Sequence, residues 1–296
     1  MKYLLIILTC VFLGGCSGDS SSDQPSSPAV EPQPIAYHSN FYSAVNQGVS
    51  FTSVESLAFE PSARRLSYGS SNLQFAEYWQ PSAISGRANL PSIIIVHGGC
   101  WSNSFRINQS YPLATALALN GFNVWSVEYR ATGDSGGGWP GTAEDVEAAI
   151  SVILANASEY YSQRGHIVIG HSAGGHLGLL ASANSAQTFD MVGVAAIANI
   201  IDYAALSGSC SALARSFMNG SPNSNPEQYE LANPNLSSLS GDAFLFVGDR
   251  DGIVSTSQAT NSGLPFEIIE GADHFDWIHP GTPTFTALLN YLLTSQ

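Results

Sequence analysis

Apolar runs rich in β-branched residues recur along this chain, separated by segments of helical composition or by glycine-rich turns. Such runs are typical of buried strands. Six of them predict strands, at residues 91–97, 123–130, 167–169, 191–198, 243–247 and 266–269. Helices are predicted between them, at residues 111–120, 142–154, from 173 onward and at 284–293. This alternation predicts a single α/β domain with a doubly wound, mostly parallel sheet flanked by helices.

Two further segments give local predictions. Residues 51–79 have short apolar stretches broken by turn residues, which predicts two or three strands. Thr142 and Asp145 have the spacing of a capping box, which would begin the helix that runs through Leu154.

The strand at 167–169 leads directly into Gly170-His171-Ser172-Ala173-Gly174, after which a helix of small residues begins. This is the G-x-S-x-G pattern in the strand–turn–helix context that a nucleophilic serine requires. The two flanking glycines are needed because Cβ atoms there would make the strand and the helix collide. Ser172 would lie at a helix N-terminus, which favours developing negative charge. The alternative is a glycine-rich helix start in an ordinary α/β unit.

The first 15 residues have the composition of an export signal. Lys2 precedes an apolar stretch at 3–13 that is too short to span a bilayer comfortably, and Cys16 follows soon after it. The pattern resembles a bacterial lipoprotein signal over residues 1–15, which implies a lipid on Cys16 and a membrane partner. Ser17, where an aspartate would indicate the inner membrane, favours the outer membrane. The alternative is an ordinary secretory signal cleaved near the same glycines.

Residues 16–36 contain mainly Ser, Pro and acidic residues, with almost nothing to bury. We expect a disordered linker after the lipidated Cys16 and a catalytic domain at 37–296. The hydrophobic content of 44% is ample for a large core. The net charge of −14 argues against binding of nucleic acid.

From residue 90 onward the sequence resembles the α/β-hydrolase superfamily, in the esterase/lipase branch that carries a His-Gly-Gly-x-Trp loop. The matching motifs are HGGCW at 97–101, EYR at 128–130, GGGWPGTAEDV at 136–146, GHSAGGHL at 170–177, NGSP at 219–222, GDRDGIV at 248–254 and GADHFDWIHPG at 271–281. Carboxylesterases and kynurenine-formamidase-like enzymes share these motifs. The kynurenine-formamidase-like enzymes commonly have an aromatic or small residue at the position of Cys100, so this chain departs from their pattern there. The resemblance implies an α/β-hydrolase fold with little or no cap, in which residues 199–240 form a small lid or merely cover the sheet.

A serine hydroxyl needs a base to take its proton and a carboxylate to orient that base. In this fold the chain order is Ser, acid, His. Asp251 and His274 each follow a predicted strand, so we expect them to join Ser172 at the carboxyl edge of the sheet. Asp249 is the alternative candidate for the acid. The family pattern places the acid three residues after Gly248, and Asp249, nearer the strand, is better placed for bonding within the turn, so Asp251 is favoured.

A second requirement is a set of N–H groups that bind the oxyanion. Ala173, the residue after the nucleophile, is expected to supply one. Gly99 and Cys100, in the glycine-rich loop, are expected to supply the others. Because Cys100 lies in this loop, we expect it not to form a disulfide with Cys210.

His166, His171 and His176 recur every five residues, which is not the spacing of metal ligands, so we predict structural roles for them. His97 is expected to bond backbone near the loop that it begins, and we predict no metal and no cofactor. The site residues predict a serine hydrolase that cleaves carboxylic esters, short-chain ones in particular, through an acyl-enzyme. The substrate would be a small-molecule ester. The alternatives are an amide hydrolase, such as a formamidase or exopeptidase, and a non-catalytic surface-binding module.

Overall fold

The computed structural model describes residues 41–83, 90–156 and 164–294. The predicted signal at 1–15, the predicted lipidation site at Cys16 and the predicted linker through residue 36 lie outside the described residues. Within the described ranges, no helix has the length and apolar character needed to cross a membrane.

Eight strands form one sheet: β1 (Arg64–Ser67), β2 (Phe75–Trp79), β3 (Ser92–Val96), β4 (Asn123–Glu128), β5 (His166–His171), β6 (Asp190–Val194), β7 (Ala243–Gly248) and β8 (Phe266–Ile269). Their order is β1-β2-β4-β3-β5-β6-β7-β8. β2 is antiparallel to both β1 and β4, whereas all other neighbours are parallel. The prediction of a mostly parallel α/β sheet is therefore confirmed.

The helices of the described residues are α1 (Phe51–Glu55), α2 (Tyr111–Leu119), α3 (Gly141–Ala155), α4 (Ala173–Asn184), α5 (Ile200–Ala205), α6 (Ser209–Phe217), α7 (Pro226–Ala232), α8 (Ser257–Thr260) and α9 (Pro283–Thr294). The helices predicted at 111–120, 142–154 and 284–293 correspond to α2, α3 and α9. Residues 199–240 contain α5, α6 and α7.

Two apolar cores lie on opposite faces of the sheet, and alternate residues of β3 divide between them. Ile94 belongs to the core that includes residues of α3 and α4. Ile93 and Ile95 belong to the core that includes residues of α2 and α9. Side chains alternate across a strand, so a run of apolar residues supplies both faces at once. Helices on both faces leave the carboxyl edge of the strands to the loops that carry the site.

The segment at 51–79 begins differently from its prediction. Residues Phe51–Glu55 form α1, not a strand, because the Ser50 side chain accepts a hydrogen bond from the Ser53 amide at 3.2 Å and caps the helix. β1 and β2 occupy the rest of the segment, so two of the predicted strands are present.

The predicted capping box is wrong. α3 begins at Gly141 and its start has no side-chain cap. The Thr142 hydroxyl instead donates to the Arg130 carbonyl at 2.6 Å. Asp145, with its side chain 2% exposed, forms an ion pair with Arg130 at 2.6 Å. These two side chains connect the end of β4 to α3, a long-range use that local spacing does not reveal.

Candidate active site

Ser172 lies on a sharp turn between β5 and α4, with φ 56° and ψ −120°. A non-glycine residue in this region is strained and persists only where its surroundings hold it. The surroundings here are strand backbone: the Ser172 amide donates to the Val194 carbonyl at 3.1 Å, and the Ser172 carbonyl accepts from Ile197 at 3.2 Å. The residue is 1% exposed.

The glycines of the G-x-S-x-G pattern have the steric role that the sequence predicts. A Cβ atom on Gly174 would collide with the carbonyl oxygens of Val96 and His97. A Cβ atom on Gly170 would lie 2.6 Å from the Cα atom of Gly175. Strand and helix can approach this closely only without side chains at these two positions.

His274 and Asp251 meet at the carboxyl edge of the sheet. His274 Nδ1 donates to Asp251 Oδ2 at 2.8 Å, and the two side chains are 4% and 1% exposed. Asp251 Oδ1 accepts hydrogen bonds from the Ile253 and Val254 amides, both at 2.8 Å. Because a carboxylate can only accept, Nδ1 of the neutral His274 ring carries the proton, and Nε2 keeps a lone pair that can take a proton.

The rival carboxylate, Asp249, is turned elsewhere. It is exposed, and its Oδ1 accepts a hydrogen bond from the Gly271 amide at 2.7 Å. Of the two carboxylates that the sequence left in competition, Asp251 is therefore the one that contacts His274.

His171 connects the His274 loop to the nucleophile turn. The two rings lie 4.8 Å apart between centroids, and His171 Nε2 donates to the His274 carbonyl at 2.9 Å. Burial, together with the neighbouring His274, lowers the pKa of His171 to about 3. His171 is therefore neutral at the pH values at which esterases work. Ser172 Oγ has no hydrogen-bond partner among the described residues, so no hydrogen bond joins it to His274. Catalytic hydrogen bonds are often long or poorly aligned before substrate binds.

Of the residues predicted to bind the oxyanion, Ala173 follows Ser172 in the chain, and Gly99 and Cys100 follow Gly98, which packs against Ser172. Ala173 is the first residue of α4, so its amide has no partner within the helix. The amides of Gly99 and Cys100 donate no hydrogen bond to another described residue. The loop lies against Ser172, since a Cβ atom on Gly98 would be 3.0 Å from the Ser172 Cβ.

The expectation that Cys100 has no disulfide partner is wrong. Cys100 and Cys210 are bonded, with Cα atoms 5.3 Å apart and a sequence separation of 110. Cys210 lies on α6, which packs against the loop at residues 97–101, the predicted oxyanion loop. The predicted role in oxyanion binding does not exclude a disulfide, because that role would use the backbone N–H group of Cys100 and leave its side chain free.

His176 has a structural role on α4. Its Nδ1 accepts a hydrogen bond from Trp101 Nε1 at 3.2 Å, and its Nε2 donates to the Ala232 carbonyl at 2.8 Å. Burial lowers the pKa of His176 to about 4, which is consistent with a neutral ring held in one tautomer. His97 is buried too, and its Nδ1 lies 2.8 Å from the Gly98 carbonyl oxygen. No cluster of three His, Cys, Asp or Glu side chains fit for a metal occurs in the described ranges.

Sequence analysis missed the role of Glu128, although the EYR motif contains it. Its Oε1 lies 3.3 Å from His97 Nε2 and accepts from the Tyr129 amide at 2.9 Å, and its Oε2 accepts from the Ile107 amide at 3.1 Å. Burial raises the pKa of Glu128, but the hydrogen bonds from His97 and the amides outweigh burial and hold the pKa below its usual value. Glu128 thereby holds both flanks of the segment at 97–107, which begins with the loop predicted to bind the oxyanion.

Asp276 was missed as well, and it has the same kind of role at the other side of the site. It is fully buried. Its carboxylate accepts hydrogen bonds from the amides of Gly48, Val49 and Asp273 at 2.7–3.0 Å. It therefore ties the His274 loop to the start of the domain. Its place in the motif GADHFDW was the only signal.

Comparison with known proteins gives one family and several esterases. The model of the family BD-FAE matches residues 81–262, which is more than half of the chain. Esterase LipC from Mycobacterium tuberculosis is 34% identical over 127 residues, a stretch that covers 42% of this chain and 31% of LipC. The match thus spans less than a third of that relative's length.

Solved structures share the fold. Esterase B from Lactobacillus rhamnosis superposes with a TM-score of 0.65 at 18% identity, covering 82% of this chain and 89% of that chain. The same esterase has also been solved when inhibited by a C4-C4 tributyrin phosphonate. A truncated carbohydrate esterase from gut microbiota has a TM-score of 0.61 at 20% identity, covering 79% of this chain and 96% of that chain. The predicted α/β-hydrolase fold is confirmed.

Proposed function

This chain belongs to the BD-FAE family, and we propose that it is a serine hydrolase that cleaves carboxylic esters through an acyl-enzyme. The hydrogen bond of 2.8 Å between His274 Nδ1 and Asp251 Oδ2, beside the strained turn at Ser172, gives this proposal its strongest support. LipC is an esterase, and esterase B and the truncated carbohydrate esterase, which share the fold, are esterases as well.

In the first half of the proposed reaction, Ser172 Oγ attacks the ester carbonyl while His274 Nε2 takes the hydroxyl proton. The tetrahedral intermediate then collapses, the ester C–O bond breaks, and His274 returns the proton to the departing alcohol. Asp251 stays ionised and stabilises the imidazolium that forms between these steps. Its two amide hydrogen bonds on Oδ1 keep the carboxylate in the orientation that this task requires.

In the second half, water attacks the acyl group on Ser172 and gives up its proton to His274. The bond to Ser172 Oγ breaks, the acid leaves, and the proton returns to the serine. The amides of Gly99, Cys100 and Ala173 would stabilise the oxyanion in both halves. Donors of this kind contribute roughly 3–4 kcal/mol each when they are held in place before the reaction.

We propose a preference for short acyl chains. Ser172 is 1% exposed, which favours small acyl groups over long ones. Two neighbours with the same fold have compatible titles: esterase B is inhibited by a C4-C4 phosphonate, and another is an acetyl ester-xyloside hydrolase.

The test is hydrolysis of p-nitrophenyl esters from acetate to palmitate. We expect kcat/KM for butyrate to exceed that for palmitate by on the order of 100-fold, because under this proposal the acyl site beside the buried Ser172 has no room for the longer chain. Butyryl p-nitroanilide is the matched amide, and we expect it to be cleaved more slowly than the ester. Faster cleavage of the anilide would favour an amide hydrolase. The absence of both turnover and fluorophosphonate labelling of Ser172 would favour a binding module.

We also propose that the chain is anchored by lipid on Cys16 and faces the bacterial outer membrane, a proposal that the motif before Cys16 supports. The full chain expressed in a bacterium is expected to enter the detergent phase on temperature-induced phase separation. Cys16→Ser is expected to move it to the aqueous phase. Equal partitioning of the two proteins would contradict lipidation.

A further inference from the structure

The oxyanion loop has an unusual backbone. Gly99, Cys100 and Trp101 have φ angles of 118°, 52° and 58°, so three successive residues are in the left-handed region. Glycine adopts this region freely, but cysteine and tryptophan do not. A loop of this shape persists only where contacts with the rest of the protein hold it.

Two contacts that hold the non-glycine residues come from α6. Cys100 is bonded to Cys210 near the start of that helix. The Trp101 ring stacks on Phe217 at its end, with centroids 5.3 Å apart and an angle of 13° between the planes. Both strained residues are therefore attached to one helix, which follows them by more than 100 positions in the sequence.

A third contact connects the loop to α4 and α7. Trp101 Nε1 donates to His176 Nδ1, and His176 Nε2 donates to the carbonyl of Ala232, the last residue of α7. Trp101 and Phe217 are 0% and 1% exposed, so these contacts are inside the protein. Residues 200–232 thus hold the oxyanion loop in place.

We propose that Cys210 is a positioning residue for ester hydrolysis. Through its disulfide it keeps the Cys100 backbone at positive φ, and with it the Cys100 amide in the orientation that stabilises the oxyanion. This inference rests on the proposed function, because the Cys100 amide matters only if an oxyanion forms beside Ser172. Under this proposal α6 contributes to catalysis by positioning the Cys100 amide, although it carries none of the residues of the triad.

The test compares three variants with the wild-type protein: Cys210→Ala, Cys100→Ala/Cys210→Ala and Cys100→Gly/Cys210→Ala. Ser216→Ala, at an exposed position on the same helix, is the control. The readouts are kcat and KM for p-nitrophenyl butyrate and the Ki of butylboronic acid, a tetrahedral transition-state analogue. All are measured well below the melting temperature of each variant.

We expect kcat of Cys100→Ala/Cys210→Ala to fall about 10- to 100-fold, a part of the loss that follows complete removal of one oxyanion donor. KM should change little, whereas Ki for the boronic acid should rise in parallel with the fall in kcat. Cys100→Gly/Cys210→Ala should recover part of kcat, because glycine adopts positive φ without a disulfide to hold it. A disulfide that only stabilised the fold would not produce this recovery.

The inference is overturned if Cys100→Ala/Cys210→Ala keeps kcat and Ki within twofold of wild type, or if the glycine variant recovers nothing while folded. Should the double variants not fold, the same comparison of kcat with Ki is made on Cys210→Ala. Failure of the proposed function would look different, because wild type and Ser216→Ala would then not hydrolyse the ester at all.

Discussion

Replacement of Ser172 by alanine is expected to lower kcat for p-nitrophenyl butyrate about 10⁶-fold, since removal of the nucleophile from a triad costs nearly as much as removal of the whole triad. Binding of the ester should be retained, because the substitution leaves Gly99 and the rest of the site unchanged. The melting temperature should stay close to that of the wild-type protein, because Ser172 Oγ has no hydrogen-bond partner among the described residues. The measurement is steady-state hydrolysis with a thermal melt of the same sample.

Ser151→Ala is the matched control, since it removes a hydroxyl from an exposed position on α3, a helix that carries no residue of the site. It should keep wild-type activity and should still react with a fluorophosphonate probe, whereas Ser172→Ala should not be labelled. If Ser172→Ala retained most of the wild-type turnover, Ser172 would not be the nucleophile and the proposed acyl-enzyme would be wrong.

The second large effect is expected for Asp251→Asn, with kcat about 10⁴-fold lower. The reason is the hydrogen bonding of Asp251. Its Oδ1 accepts from the Ile253 and Val254 amides, so an asparagine must keep its carbonyl oxygen there and present its NH₂ group to His274. His274 Nδ1 would then have to accept, which places the ring proton on Nε2 and removes the base that faces the serine.

Asp249→Asn is the control for this variant, because it makes the same chemical change two residues away. Asp249 is exposed and accepts from the Gly271 amide, a bond that the asparagine carbonyl can preserve. We expect turnover within a few-fold of wild type. A large loss in Asp249→Asn together with a small one in Asp251→Asn would reverse the assignment of the acid.

The strands of the central sheet could be predicted because burial on both faces leaves a signature in a short stretch of sequence. Ser92–Val96 and Ala243–Gly248 form strands almost where their apolar runs predict them. Failures occurred where a few polar side chains decide between local structures. Ser50 caps a helix at the start of a segment predicted as strand, and the Thr142–Asp145 pattern supports a long-range contact with Arg130 in place of a cap.

The candidate site divides in the same way. The turn at Ser172 could be predicted because the glycines that allow it, Gly170 and Gly174, lie two positions on either side of the serine. The backbone that crowds Gly174 belongs to a segment almost 80 positions earlier, so the reason for that glycine appears only in the fold. The hydrogen-bond network around the site could not be predicted in this way. Asp276 accepts a hydrogen bond from Gly48, 228 positions away, and nothing in the local sequence of either residue indicates the other.

The sequence by itself determined the class of sheet and the strand–turn–helix at Ser172, since both leave a pattern in a short stretch of residues. The tertiary structure alone decided that Asp251 contacts His274 where Asp249 does not, and that Cys100 is bonded to Cys210. The physical reason is that a hydrogen bond or a disulfide requires two groups within a few ångströms. For segments more than 20 positions apart, only the packing of the whole domain sets that distance.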